Sequence, residues 1–81
     1  MTTADKTLGR MRNNPRDWRI DDLLAVAGRF GLQVRNSGGS HHVFTYPGSG
    51  ESICVPAHRP IKPVYVKQFV AMIDSIKEKV S

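Results

Sequence analysis

The sequence predicts a single α+β domain with the element order α-β-β-β-α, in which a three-stranded antiparallel sheet carries two helices on one face. Two segments with apolar residues at helical spacing enclose a middle region. That region is rich in β-branched and aromatic residues, and glycine and proline turns divide it. A chain of 81 residues buries one modest core, so it forms one such domain.

The first predicted helix covers residues 20–30. Its apolar side chains recur every three or four residues and are Ile20, Leu23, Leu24, Ala27 and Phe30. Asp21 and Asp22 stand in the first turn, where carboxylates interact favourably with the positive end of the helix dipole. Gly31 follows as a left-handed C-terminal cap, so the helix is predicted to end there.

Three short strands are predicted next. They cover residues 32–35, 40–46 and 51–55, which contain β-branched and aromatic residues. The turn-forming stretches 36–39 and 47–50 separate them. Short connections of this kind join antiparallel neighbours, which gives the three-stranded sheet.

The second strand can present either of two faces to the core. Neighbouring residues of a strand point in opposite directions, so His41 shares a face with Val43, and His42 shares the other with Phe44. The bulk of Phe44 favours an inward Phe44 and an outward His41, although Val43 could also belong to the core. In the third strand the same alternation places Ile53 opposite to Cys54.

The second helix is predicted over residues 63–79. Pro63 has the backbone angle suited to a first helical turn. The apolar positions again follow helical spacing and are Val66, Phe69, Val70, Ile73, Ile76 and Val80. The simplest packing places both helices on one face of the sheet and leaves the other face open.

Residues 1–14 are predicted to form a basic, flexible leader, and residues 15–81 the folded domain. The leader is polar and has several basic residues, among them Arg10 and Arg12. Met11 or Trp18 could anchor its end to the domain.

Composition excludes several classes of function. Twelve Lys and Arg stand against seven Asp and Glu, a net charge of +5, which favours a polyanionic partner. The single cysteine, Cys54, excludes an intramolecular disulfide. The sequence has no apolar run of about 20 residues and no signal-peptide pattern, so we expect a cytoplasmic protein with no membrane contact. The histidines and the cysteine lack zinc-ligand spacing, and no metal or cofactor is predicted.

One group of neighbouring residues could form a catalytic site. In Gly38-Gly39-Ser40-His41-His42 a tight turn enters a strand beside two histidines, and an exposed histidine can act as a general base near neutral pH. RNA suits such a base, because its own 2′-hydroxyl can attack the adjacent phosphorus. Residues 29–67 contain five basic residues and a single acidic residue, Glu51. Histidines beside a turn are more often ordinary surface residues, so spacing alone does not assign this function.

Longer motifs make the sequence similar to a known family. A helix ending R-F-G-L precedes G-S-H-H-V-F at residues 39–44, and I-C-V-P-A-H-R-P-I-K-P-V-Y-V-K-Q-F follows at residues 53–69. This arrangement strongly resembles the HicA toxin family over about residues 15–78. The resemblance implies a small ribonuclease that cuts mRNA, an antitoxin partner of the HicB type, and a fold like that of double-stranded-RNA-binding domains.

The resemblance also implies which residues act. The family motif G-S-H falls on Gly39, Ser40 and His41, so His41 would be the catalytic histidine, and His42 would not. His58 is an alternative second acid–base group that would protonate the leaving oxygen. The residues predicted to contact RNA are Gly39, Ser40, Arg59, Lys62 and Lys67.

Three functions therefore compete. The first is a metal-independent endoribonuclease of a toxin–antitoxin system, with His41 as the general base. The second is a catalytically silent RNA-binding module of the same fold. The third is a small subunit whose open face only binds a protein partner. The sequence predicts neither an RNA sequence preference nor an oligomeric state.

Overall fold

A computed structural model describes residues 3–36, 39–48, 50–57 and 60–80, with side chains for all of these except 3, 4, 79 and 80. It confirms the α+β class with an open, three-stranded antiparallel sheet, and it adds a helix at the N-terminus. The elements in chain order are α1 (Thr3–Asn13), α2 (Ile20–Arg29), β1 (Gln33–Asn36), β2 (His41–Thr45), β3 (Ser52–Pro56) and α3 (Pro63–Val80).

The sheet has the order β1-β2-β3, with both neighbouring pairs antiparallel. Val34, Phe44 and Ile53 lie opposite one another across the three strands and therefore point to the same side. Phe44 is fully buried, and its ring meets the ring of Phe69 from α3 edge-on, with the ring centres 5.4 Å apart. This contact places α3 on the Phe44 side and confirms the inward orientation predicted for that residue.

The ends of α2 follow the predicted chemistry. The Asp22 carboxylate accepts a hydrogen bond from the backbone N–H of Arg19 at 3.0 Å, which satisfies one donor at the helix start. Gly31 has φ of 75°, in the left-handed region that glycine adopts without a steric penalty. The N–H of Leu32 then bonds to the carbonyl of Ala27 at 2.9 Å, as in a Schellman cap.

Residues 3–13 correct one expectation. The polar composition of this segment predicts a flexible leader, but residues 3–13 form α1, and Leu8 and Met11 are 1% and 0% exposed in the core. Two residues three positions apart lie on one helical face, so α1 buries a short apolar stripe. The predicted anchoring by Met11 is confirmed, and the rest of the segment is ordered along with it.

Two ion pairs join α1 to α3. Arg12 pairs with Asp74, and Lys77 with Asp5 at 3.1 Å, both at partly exposed positions. The two residues of each pair are more than sixty positions apart in the chain, so no local sequence pattern around α1 reveals the pairs. Exposed pairs of this kind contribute little stability, which leaves the buried residues as the main reason that α1 packs.

The connector between α1 and α2 is held against the loop before α3. The Trp18 indole N–H donates to the carbonyl of Asn14 at 2.6 Å, and the guanidinium of Arg10 lies over its ring. The carbonyl of Trp18 accepts a hydrogen bond from the N–H of Ile61, a buried residue, at 2.9 Å. Trp18 therefore ties the connector to the core. Within the described parts of the chain, no helix is both long and apolar enough to cross a membrane.

Candidate functional site

The site begins at the turn that enters β2. Gly39 has φ of 100°, a backbone conformation that residues with a Cβ rarely adopt, although no atom within 4 Å would obstruct a Cβ there. The constraint on Gly39 is therefore conformational rather than one of space. The carbonyl of the exposed Ser40 accepts a hydrogen bond from the N–H of Ala57, which joins the start of β2 to the end of β3.

His41 and His42 face opposite sides of the sheet. His41 is exposed on the side away from Phe44, at the first position of β2, and lies across from Pro56. His42 is half-buried on the helical side, across from Val55, and its Nδ1 is buried with no hydrogen-bond partner among the described residues. Only His41 is therefore open to a large substrate.

The side of the sheet that carries His41, called the open face here, contains no carboxylate among the described strand residues. The register assigns to it Gln33, Arg35, His41, Val43, Thr45, Ser52, Cys54 and Pro56. The thiol of Cys54 is free, and the residue is exposed. Glu51 precedes β3, and its carboxylate accepts a hydrogen bond from the Ser75 hydroxyl of α3 at 3.3 Å, on the helical side. The open face can therefore receive a phosphate without repulsion from a neighbouring carboxylate.

The remaining predicted contact residues are not all near His41. Lys62 is exposed directly before α3, in the segment that leads from the His41 end of β3 into that helix. Lys67 lies within α3 and lines a groove of about 310 Å³ with Arg12 and Asp74, between α1 and α3. The structure thus places Lys67 in the helical layer, on the other side of the sheet from His41. His58 and Arg59 lie outside the described residues.

Arg35 belongs to the open face and was not among the predicted site residues. It lies across from Val43, whose open-face neighbour along β2 is His41. Strand alternation alone could not place it, because the register of β1 against β2 depends on the turn between them. No group of three or more His, Cys, Asp or Glu residues capable of holding a metal ion occurs in the parts of the chain that the structure describes.

Comparison with known proteins identifies the family of this chain. The model of a family described as the HicA toxin of bacterial toxin–antitoxin systems matches residues 20–77, from the first residue of α2 almost to the end of α3. The chain belongs to the HicA toxin family. It is therefore a toxin of a toxin–antitoxin system, with an antitoxin as its partner. No curated protein and no solved structure matches the chain.

Proposed function

We propose that this toxin is an endoribonuclease that cuts mRNA, with His41 as its general base. The observation that carries the proposal is the exposure of His41 on the open face, at the start of β2, in the motif Gly39-Ser40-His41. A base must approach the proton that it removes to within hydrogen-bond distance. His41 can meet an RNA strand laid on the sheet, whereas His42 points to the helices.

The reaction uses a nucleophile that the substrate supplies. The imidazole of His41 takes the proton of a ribose 2′-hydroxyl, and the oxygen forms a bond to the adjacent phosphorus. The bond from phosphorus to the 5′-oxygen breaks, and that oxygen takes a proton from solvent. The products are a 2′,3′-cyclic phosphate and a free 5′-hydroxyl.

This chemistry needs positioning and positive charge rather than a metal-bound nucleophile. We therefore infer metal-independent cleavage. The candidate phosphate contacts remain those predicted from the sequence, with Gly39 and Ser40 beside His41 and with Lys62, Lys67 and Arg59 further away along the chain. Of these, Lys67 would require an RNA strand that also reaches the helical layer, because it faces the groove beside α1.

A cleavage assay with purified toxin and RNA in excess EDTA tests the proposal. Wild type should cut the RNA, and His41→Ala should lose the activity by about 100-fold or more, because the general base is absent. The matched control is His42→Gln, which changes the neighbouring histidine on the opposite face and should retain cleavage. Circular dichroism confirms that each variant is folded.

The products provide independent evidence for attack by the 2′-hydroxyl of the RNA. RNA with 2′-O-methyl groups should resist cleavage, and mass spectrometry should find cyclic phosphate ends on cut RNA. Cleavage by His41→Ala at the wild-type rate would exclude the role of His41. Salt-dependent RNA binding without scission would instead indicate a silent binding module.

We further propose that the antitoxin partner is of the HicB type and inhibits by covering the open face, in the cytoplasm where mRNA is found. The open face carries His41 and the free thiol of Cys54, so cover by a protein should block both. Adding the antitoxin should stop cleavage and slow the reaction of Cys54 with a thiol reagent. Inhibition with unchanged thiol reactivity would place the antitoxin elsewhere.

A further inference from the structure

The open face has one fixed positive charge among its described residues. Arg35 extends from β1, and neither of the ion pairs of the described chain involves it. Glu51, the acidic residue directly before β3, points away from the open face towards Ser75 of α3. An exposed arginine with no acidic residue on its own face is available to bind an anion.

The register places Arg35 next to His41. Arg35 lies directly across from Val43, and His41 is two residues before Val43 on the same side of β2. In an antiparallel pair such diagonal neighbours are about 7–8 Å apart, within reach of a long side chain. An arginine side chain leaning along the sheet can therefore bring its guanidinium to a group held at the imidazole.

The other basic candidates do not share this position. Lys67 faces the groove beside α1, and Lys62 stands before α3 rather than on a strand. Arg29 ends α2 and precedes β1, so it lies towards the end of the sheet where Gln33 pairs with Thr45, away from His41. Among the residues that the structure describes, Arg35 alone combines a fixed positive charge with the face of His41.

The chemistry of the cleavage step requires such a charge. As the 2′-oxygen bonds to phosphorus, negative charge grows on the two non-bridging phosphate oxygens. A guanidinium presents two parallel N–H donors that match two phosphate oxygens, which an ammonium group cannot do. A donor directed at charge that develops in the transition state accelerates a reaction more than one that only binds the ground state.

We propose that Arg35 binds the phosphate at which RNA is cut and holds it beside His41. The inference rests on the proposed ribonuclease function and adds its phosphate-binding group. Arg35 is then a catalytic residue, since it touches the reacting phosphate. RNA would cross the open face from β1 to β2, with its scissile phosphate between the two side chains.

Three variants test this assignment in the cleavage assay. Arg35→Ala should lower the rate by about 100-fold, the usual effect of removing one donor to a developing charge. Arg35→Lys should recover part of the loss, because the charge remains and the paired donors do not. Arg29→Ala is the matched control, an exposed arginine remote from His41, and should cut as wild type does.

A binding measurement separates phosphate contact from a structural role. RNA with 2′-O-methyl groups serves as a non-cleavable probe, and its affinity is measured over a range of salt concentrations. Loss of one phosphate contact should reduce the slope of log affinity against log salt by about 0.7 for a single strand. Arg35→Ala should show this reduction, and Arg29→Ala should not. Arg35→Gln replaces Arg35→Ala if circular dichroism shows that the alanine variant is unfolded.

The outcomes distinguish this inference from the function on which it rests. Failure of wild type to cut any RNA would reject the ribonuclease, and the salt slope would still decide whether Arg35 contacts phosphate. Cleavage by wild type together with undiminished cleavage by Arg35→Ala would overturn the inference and leave the ribonuclease intact. An unchanged salt slope in the folded variant would overturn it equally.

Discussion

The alternation of side chains along β2 determines which of its two histidines faces the open side of the sheet. His41 faces the open side and His42 the helices, although they are neighbours in the chain. A shift of the strand by one residue would exchange the two, because side chains alternate strictly. The turn that enters β2 therefore matters to the site as much as the histidine itself does, and at Gly39, with its φ of 100°, a residue with a Cβ would be strained.

Gly39→Ala should destabilise the protein and disturb the site. A Cβ at positive φ costs about 1–2 kcal/mol, even though no neighbouring atom obstructs it. Thermal unfolding should show the loss of stability, and cleavage should fall by more than that loss explains, because the start of β2 moves with His41.

Gly28→Ala is the control, because it should change the stability of the protein in the opposite direction. Gly28 is exposed within α2, where a Cβ also meets nothing within 4 Å. Alanine should stabilise that helix by about 0.5–1 kcal/mol relative to glycine. Equal stability changes in the two variants would show that the positive φ at Gly39 carries no cost.

At the scale of elements, α1 is a part of the folded molecule that lies outside the family match. The match begins at residue 20, whereas α1 contributes Leu8 and Met11 to the core before that point. The helix packs against both α2 and α3, so it belongs to the same folded unit as the matched residues.

Met11→Ala should reduce the free energy of unfolding by about 2–5 kcal/mol, as removal of a fully buried methionine does. Chemical denaturation with urea measures the change. Lys6→Ala, at an exposed position of the same helix, should change stability by no more than about 0.5 kcal/mol. If both variants were as stable as wild type, α1 would not be packed in solution. The prediction of a flexible leader over residues 1–14 would then be correct.

The sequence predicted the elements with a strong local pattern and missed the one without it. The long apolar stripe of α3 and the Gly31 cap of α2 are local signals, and both were confirmed. The stripe of α1 has few members, and Gly9 interrupts it with a residue of low helix propensity. Burial against residues far along the chain stabilises this helix, and local spacing cannot report such contacts.

The sequence likewise predicted one part of the candidate site and missed another. Alternation narrowed β2 to two orientations, and the contact of Phe44 with Phe69 selects the one that exposes His41. The place of Arg35 depends on strand register, and that of Lys67 on the rotation of α3 against the sheet. Both are tertiary properties, so a list of basic residues from the sequence could not separate the open face from the helical layer.

At the scale of the whole molecule, the protein has two unlike sides, a helical layer and an open sheet. A bulky maleimide attached to Cys54 would occupy the open face, where Cys54 lies across from Val43. Labelled toxin should lose cleavage by about 100-fold, because RNA can no longer approach His41 in the reactive geometry. A gel assay of cleavage before and after labelling measures the loss.

A label on the other side provides the matched control. Ala71 is exposed on α3, so the double variant Cys54→Ser/Ala71→Cys directs the same reagent to the helical layer. This labelled protein should cut RNA as its unlabelled form does. If the label at position 71 abolished cleavage and the label at Cys54 did not, RNA would bind to the helical layer.

The packing of α1 against α3 also has a consequence for synthesis of the protein. A ribosome makes α1 first and α3 last of the described elements, yet Asp5 meets Lys77, and α1 completes its packing, only when α3 is present. The core thus cannot close before α3 has been translated. The core of the nascent toxin therefore stays incomplete until α3 has emerged from the ribosome, and an antitoxin that binds only the folded protein can bind it only after that point.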